Sequence, residues 1–172
     1  MGIMCGVFSA LLYSNSQFHQ ISLVAATILL LASGFFDALD GAIARIFGEA
    51  TSFGSFLDSM LDRYTDALIL GGIILGGLCH PLWGLAALTG SLLVSYARAR
   101  AEAAGARMEA VGIAERAERI IILAAASLLS VVWREEALGW AIVILAILTN
   151  FTVIQRVVYF RMSQQEETSP SG

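Results

Sequence analysis

Four aspartates stand at helical spacing within residues 37–62. Asp37 and Asp40 are three positions apart, and Asp58 and Asp62 are four apart. Residues at these spacings share one face of an α-helix, so each pair can present two carboxylates together. Close carboxylates repel one another, and hard divalent cations such as Mg²⁺ relieve that repulsion while taking substrate phosphates as further ligands. The pattern therefore predicts a carboxylate site for divalent ions, where two ions can bind both phosphates and an attacking oxygen.

Small residues and one arginine accompany these acids. Gly41 and Ala44 follow the first pair and Gly54 precedes the second, so a bulky ligand could approach the helix backbone. Arg45 adds a cation near metal-bound phosphates. Each feature alone has a structural explanation, because acids in membrane helices pair with arginines and glycines let such helices pack closely. The combination favours a functional site over chance.

The surrounding composition is that of an integral membrane protein. Hydrophobic residues make up 58% of the 172 residues and charged residues only 14%, with a mean hydropathy of +0.77. This apolar share is above that of soluble domains. All ten basic residues are arginines, whose planar guanidinium suits phosphate oxygens. The two cysteines and two histidines have no metal-binding spacing, which argues against a metal site built on those residue types.

Hydrophobic runs of about 20 residues predict membrane-spanning helices. Five runs occupy residues 21–47, 53–78, 82–105, 117–133 and 137–160. Residues 2–13 are too few to cross about 30 Å of hydrocarbon, and we expect them to be the end of a truncated first spanning helix. The predicted fold is all-α: a polytopic membrane domain of six transmembrane helices over residues 1–162, followed by a disordered polar tail over residues 163–172.

The arginines predict the orientation in the membrane. With six spans, all of the ten except Arg134 fall on one side. Positively charged residues concentrate in cytoplasmic loops, so we expect that side to face the cytoplasm of a multi-pass plasma-membrane protein. The aspartates lie on the same side, at the end of the second helix and the beginning of the third. The short link between these two helices predicts that they are antiparallel neighbours, so that their carboxylates meet.

The stretch from Asp37 to Asp62 matches D-x2-D-G-x2-A-R-x8-G-x3-D-x3-D at every fixed position. This pattern resembles that of the CDP-alcohol phosphatidyltransferase family, and the six-helix layout extends the resemblance over nearly the whole chain. The resemblance implies an enzyme of phospholipid biosynthesis that moves the phosphatidyl-type group of a CDP-linked lipid to the hydroxyl of a small alcohol, releasing CMP. It also implies two Mg²⁺ (or Mn²⁺) ions, a bilayer location and a homodimer, with no nucleic acid partner.

Residue roles follow from the same resemblance. Asp62 would be the base that deprotonates the acceptor hydroxyl, and it would also touch the second metal ion. The implied metal ligands are the four aspartates of the pattern, Asp37, Asp40, Asp58 and Asp62. The implied CDP-lipid site is formed by Gly41, Ala44, Arg45, Thr51 and Gly54.

Arginines beyond the pattern indicate the kind of acceptor. They lie at the predicted cytoplasmic ends of three helices, and arginines from three helices around one basin favour an acceptor that carries a phosphate. These segments resemble the branch that uses inositol 1-phosphate, the phosphatidylinositol-phosphate and archaetidylinositol-phosphate synthases. That resemblance implies that Arg98, Arg116 and Arg156 hold the phosphate of the acceptor. Alternatively, these arginines only follow the cytoplasmic preference of positive charge or bind anionic lipid headgroups.

Several alternatives stay open from the sequence. The acceptor could be glycerol 3-phosphate, serine or free inositol, and the lipid donor could be diacyl or archaeal diether. A transporter with an acidic site is a different class, but it would need polar groups through the depth of the membrane. Gly72 and Gly76 predict close packing of the third helix, against a neighbouring helix or a second subunit. Asp66 continues the row of acids at i, i+4 without an assigned role.

Overall fold

The computed structural model describes residues 2–15, 20–47, 51–106, 108, 111–133 and 136–168. These residues form six α-helices and no strand, which confirms the all-α prediction. The helices are α1 Gly2–Ser14, α2 Gln20–Ile46, α3 Ser52–Leu75, α4 Pro81–Ala103, α5 Arg116–Trp133 and α6 Glu136–Thr168. Each predicted helix is present and begins within one residue of its expected start.

The end of α6 differs from the prediction. The sequence placed a disordered polar tail at residues 163–172, but α6 continues to Thr168. Residues 163–168 are therefore the last turns of a helix. Gln164, Gln165 and their neighbours are good helix formers, so a polar composition does not end the helix here. Residues 169–172 lie outside the described part of the chain.

The helices form a closed ring in which each contacts two neighbours. In order around the ring, α1 packs on α2, α2 on α5, α5 on α6, α6 on α4, α4 on α3, and α3 returns to α1. In the described residues, α2 and α3 therefore share almost no direct packing. The expectation that these two helices are packed neighbours is wrong, because α1 lies between them.

Small residues explain how α1 fits between α2 and α3. A Cβ added to Gly2 would overlap Asp37 of α2, and one added to Gly6 would overlap Thr65 of α3. Farther along, Gly72 of α3 and Gly76, which caps the C-terminal end of α3, lie directly against backbone carbonyls of α1. The predicted close packing at these two glycines is thus made with a helix of the same chain.

The interior of the ring is apolar away from the acids. Tyr13, Leu30, Ile73, Ile142 and Leu145 are almost completely buried. The phenol oxygen of Tyr13 lies 2.8 Å from Ser127 Oγ, which links α1 to α5 through a buried hydrogen bond. Burial of large apolar side chains is the main favourable contribution to folding in water, whereas close van der Waals packing takes that role in lipid.

Two described helices are long and apolar enough to cross a membrane, over Gln20–Ala44 and Glu136–Gln165. By itself this is weak evidence for membrane insertion. The prediction of six transmembrane helices is therefore not confirmed. Of the other helices, α1 has only 13 residues, and α3 and α5 carry several charged side chains in their first halves.

Candidate active site

The guanidinium of Arg116 holds three carboxylates from two helices. Its Nη2 donates to Asp37 Oδ2 at 2.8 Å, and its Nη1 lies 2.8 Å from Asp62 Oδ1. Its Nε donates to Asp66 Oδ1 at 3.2 Å. Each guanidinium nitrogen therefore contacts a different acid. We call Asp37, Asp62, Asp66, Arg116 and Arg119 the charged hub.

The hub joins α3 to α2 and α5, two helices against which α3 hardly packs. Asp37 comes from α2, Asp62 and Asp66 from α3, and Arg116 is the first residue of α5. The predicted meeting of carboxylates from α2 and α3 does occur, but through an arginine rather than across a helix–helix interface. The sequence could not show this, since Arg116 lies 79 positions from Asp37.

Asp66 is the most enclosed carboxylate of the hub. Its side chain is 12% exposed, and its second oxygen accepts from Arg119 Nη2 at 2.6 Å. Arg119 also donates from Nη1 to the carbonyl oxygen of Ala114 at 2.9 Å. Charged hydrogen bonds of this kind are short and strong. Asp66 therefore fastens the beginning of α5 to the middle of α3.

The spacing of Asp66 and Arg119 in the sequence indicates that they belong to the site, although neither was predicted as a site residue. Asp66 continues the i, i+4 row of Asp58 and Asp62, and Arg119 stands one turn after Arg116. Residues at these spacings share a helix face, so both belonged to the faces already singled out. Neither lies inside the sequence pattern that directed attention to the other aspartates.

The two remaining aspartates of the pattern, Asp40 and Asp58, are exposed. Among the described side chains, no three acids, histidines or cysteines are arranged so that they could hold a metal ion. The donor set still fits a hard cation chemically, because carboxylate oxygens from α2 and α3 already share one positive charge. Three carboxylates against two guanidinium groups also leave the hub with net negative charge, which attracts cations.

The small residues of the pattern lie on α2 and at the beginning of α3. Gly41 and Ala44 are partly buried on α2. Thr51 caps α3 by accepting a hydrogen bond from the backbone N–H of Gly54 at 3.0 Å. A Cβ on Gly54 would crowd this hydroxyl, so glycine leaves room for the cap. The side chain of Arg45 lies outside the described residues, and contact of this group with a CDP-lipid stays a prediction.

The three predicted acceptor arginines have different surroundings. Arg116 is in the hub, whereas Arg98 pairs with Glu102 at 2.8 Å along α4. Arg156 is only 2% exposed; it donates from Nη1 to the carbonyl of Val94 at 2.6 Å and from Nε to that of Val111 at 2.8 Å. It thereby ties α6 to α4 and to the segment before α5.

Charges of both signs act on Arg156. They come from the guanidinium groups of Arg98 and Arg119 and from the carboxylates of Glu115 and Glu102. Glu115 Oε1 lies 3.8 Å from Nη2 of Arg156, and Arg119 is also part of the hub.

Chemically, the hub can bind cations and transfer protons. The side chain of Asp62 is 22% exposed, so a ligand can reach it. A carboxylate can act as a base when a hydroxyl comes within hydrogen-bond distance.

Comparison with known proteins identifies the family of the chain. The profile of the CDP-alcohol phosphatidyltransferase family matches residues 1–156. The chain is 53% identical over 146 residues to the archaetidylinositol phosphate synthase of Methanothermobacter thermautotrophicus, covering 85% of this chain and 74% of that protein.

Two solved structures of Mycobacterium tuberculosis phosphatidylinositol phosphate synthase are similar in fold. The structure with CDP-DAG bound has a TM-score of 0.78 at 30% identity, covering 99% of this chain and 84% of that one. The structure in complex with manganese and citrate has a TM-score of 0.80 at 31% identity, covering 99% of this chain and 80% of that one. Together with the profile match over most of its length, these similarities show that the chain belongs to the CDP-alcohol phosphatidyltransferase family.

Proposed function

We propose that this protein transfers the phosphatidyl-type group of a CDP-linked lipid to inositol 1-phosphate and releases CMP. A hydroxyl oxygen of the inositol ring attacks the phosphorus that carries the lipid. The bond from that phosphorus to the oxygen bridging to CMP breaks, and CMP leaves with the bonding electrons. The proton of the hydroxyl passes to a base. The product is a phospholipid whose headgroup carries a second phosphate.

The observation that carries the proposal is the meeting of carboxylates from α2 and α3 with arginines from α5. Asp37 and Asp62 reach the same guanidinium, so acids and a phosphate-binding side chain stand within one site. A diphosphate donor and a phosphorylated acceptor need both. The 53% identity to an archaetidylinositol phosphate synthase supports the same acceptor, and family membership argues against a transporter.

Each residue of the site has a role in this reaction. Asp62 accepts the proton of the acceptor hydroxyl, since its carboxylate is partly exposed. Arg116 binds the phosphate of the acceptor together with Arg98 and Arg156. Thr51 and Gly54, at the beginning of α3, lie with Gly41, Ala44 and Arg45 along the CDP-lipid site. These small residues leave the backbone accessible to the diphosphate.

Asp37, Asp40, Asp58 and Asp62 would hold divalent ions, and we propose two Mg²⁺ or Mn²⁺ ions per site. Bound divalent ions neutralise a diphosphate and make CMP a better leaving group. The complex of a similar synthase with manganese supports the use of such an ion here. The carboxylate oxygens of the hub are ligands of the type that these ions prefer.

The membrane arrangement belongs to the same proposal. Helices α2 to α6 cross the bilayer of the cell membrane, and α1, with 13 residues, spans part of it. Residues 1–162 form the membrane domain, and the charged hub faces the cytoplasm. The arginine distribution supports this orientation. Large exposed apolar side chains around the ring, such as Ile21, Leu75 and Val132, would contact lipid. We further propose a homodimer.

An acceptor screen on purified protein tests the proposal. Labelled CDP-lipid, in diacyl and diether forms, is offered with inositol 1-phosphate, glycerol 3-phosphate, serine or free inositol, and CMP and labelled lipid are measured. We expect inositol 1-phosphate to give product at least tenfold faster than the others, and chelation of divalent ions to stop the reaction. A clear preference for another acceptor would overturn the assignment of inositol 1-phosphate. Full activity after chelation would overturn the role of the metal.

A further inference from the structure

Arg116 has two incompatible tasks in the reaction proposed above. In the structure its Nη1 and Nη2 contact Asp62 and Asp37. If the same two oxygens, Asp37 Oδ2 and Asp62 Oδ1, take divalent ions, the two nitrogens must leave them. The proposed binding of the acceptor phosphate also requires these nitrogens. The guanidinium therefore has to change partners during each cycle while staying at the site.

Asp66 is placed to hold Arg116 during that exchange. It contacts Nε, the guanidinium nitrogen nearest the helix, at 3.2 Å, and this contact does not use Nη1 or Nη2. Asp66 is also outside the sequence pattern of the other aspartates. Its carboxylate is thus available to Arg116 in both states, whether or not Asp37 and Asp62 bind ions.

Asp66 is itself held in place. Its second oxygen accepts from Arg119 at 2.6 Å, and Arg119 is fixed to the carbonyl of Ala114 at 2.9 Å. Arg119 is only 6% exposed, so water competes little for this pair. A carboxylate fixed at one oxygen gives the other oxygen a defined position, which pre-organises its partner.

On these contacts we propose that Asp66 is a positioning residue for Arg116. It anchors Nε so that Nη1 and Nη2 can pass from Asp62 and Asp37 to the phosphate of the acceptor. The inference rests on the proposed function, because it requires a phosphorylated acceptor. It assigns to Asp66 no contact with the substrate and no part in the chemical step.

A purely structural role is the competing explanation. The hub also links α3 to α5, two helices that do not pack against each other in the described residues. Loss of Asp66 could therefore loosen the fold and lower every kinetic parameter together. The proposal instead expects an effect confined to the acceptor, and one that disappears when Arg116 is absent.

The test uses the full chain with Asp66→Asn, Arg116→Gln and the double variant. For Asp66→Asn we expect the KM for inositol 1-phosphate to rise about tenfold, with kcat and the KM for CDP-lipid changed less than twofold. In the Arg116→Gln background, Asp66→Asn should add less than a twofold further change. Glu118→Gln is the matched control, because it removes an exposed acid from the first turn of α5 and should leave all values unchanged.

Calorimetric binding of inositol 1-phosphate with Mn²⁺ present and CDP-lipid absent gives a readout without turnover. We expect its Kd to rise about tenfold in Asp66→Asn. An unchanged Kd and KM, a loss confined to kcat, or equal losses with and without Arg116 would overturn the positioning role. If wild-type protein neither binds nor uses inositol 1-phosphate, the proposed function fails, and this inference fails with it.

Discussion

The two halves of α3 are held to the rest of the molecule in different ways. In the N-terminal part up to residue 66, called the charged half below, Asp62 and Asp66 reach across the ring to the guanidinium groups of α5. In the second half, Gly72 and Gly76 lie against the backbone of α1 with no room for a side chain. One half is joined by charge between helices that hardly pack, and the other by direct backbone contact.

These two kinds of contact suit two tasks of α3, which are to support the fold and to let ligands enter and leave. A closely packed interface has essentially one arrangement, because an interior at native packing density does not deform continuously. Charged side chains that meet across a gap can exchange one partner for another without moving the backbone. The rigid half thus supports the half in which ligands must enter and leave. Variants in the two halves should therefore change different observables.

The largest effect is expected for Asp62→Asn in the charged half. An amide cannot accept the proton of the acceptor hydroxyl, and general bases typically contribute about 10²–10⁴-fold to rate. We expect turnover to fall by at least about 100-fold, while CDP-lipid binding changes little. Release of CMP and equilibrium binding of CDP-lipid measure the two quantities separately.

Glu136→Gln serves as the control for this variant. Glu136 is an exposed acid in the first turn of α6, away from the hub, and its amide should leave turnover unchanged. Full activity of Asp62→Asn would disprove the assignment of Asp62 as the base. Equal loss of turnover and of CDP-lipid binding would instead indicate that Asp62 mainly holds the donor.

The packed half should respond to Gly72→Ala. The new Cβ would overlap the carbonyl oxygen of Ala10, and overpacking of this kind costs about 1–3 kcal/mol. For a chain of this size, that lowers the unfolding temperature by about 2–4 °C per kcal/mol. Thermal unfolding in detergent measures the change, and the KM for either substrate should stay constant.

Gly71→Ala provides the matched control for Gly72→Ala. No atom lies within 4 Å of a Cβ at Gly71, and alanine favours a helix over glycine. We expect no loss of stability in this variant. If both alanines were equally destabilising, the contact between α1 and α3 would not be the cause, and the contrast between the two halves would weaken.

The local features of the fold were predictable from the sequence. Each helix start was found within one residue, because apolar runs and their polar ends are local signals. The spacing of Asp37, Asp40, Asp58 and Asp62 predicted that their carboxylates come together, and the structure brings Asp37 and Asp62 to the guanidinium of Arg116. Gly72 and Gly76 were also recognised as a packing surface.

The helices and side chains that these residues contact were not predictable from the sequence in the same way. A short link between α2 and α3 suggested that they pack together, but the glycines of α1 let that helix enter between them. The contact of Arg116 with Asp62 depends on how the rest of the ring places α5 opposite α3. Such long-range arrangements are set by the packing of the whole ring, which no local pattern encodes.

The smallest expected effect is a change in Mn²⁺ affinity. It tests whether Arg116 and a divalent ion bind the same carboxylate oxygens. Arg116 neutralises Asp37 and Asp62 at 2.8 Å each, so a divalent ion must compete with it for these oxygens. Arg116→Gln removes the competing charge, and we expect Mn²⁺ to bind about tenfold more tightly, a gain of about 1.4 kcal/mol. Electron paramagnetic resonance of free Mn²⁺, recorded without substrates, measures this affinity.

Arg98→Gln separates competition from a general loss of positive charge. Arg98 pairs with Glu102 on α4 and is 41% exposed, so its replacement changes the net charge equally without freeing a carboxylate of the hub. Solvent screens such an exposed charge, and Mn²⁺ affinity should change less than twofold. Equal tightening in both variants would mean that long-range charge governs the affinity. Weaker Mn²⁺ binding in Arg116→Gln would mean that Arg116 holds the carboxylates in place for the ion. The contacts of the charged half of α3 would then be fixed rather than exchangeable, as those of the packed half are.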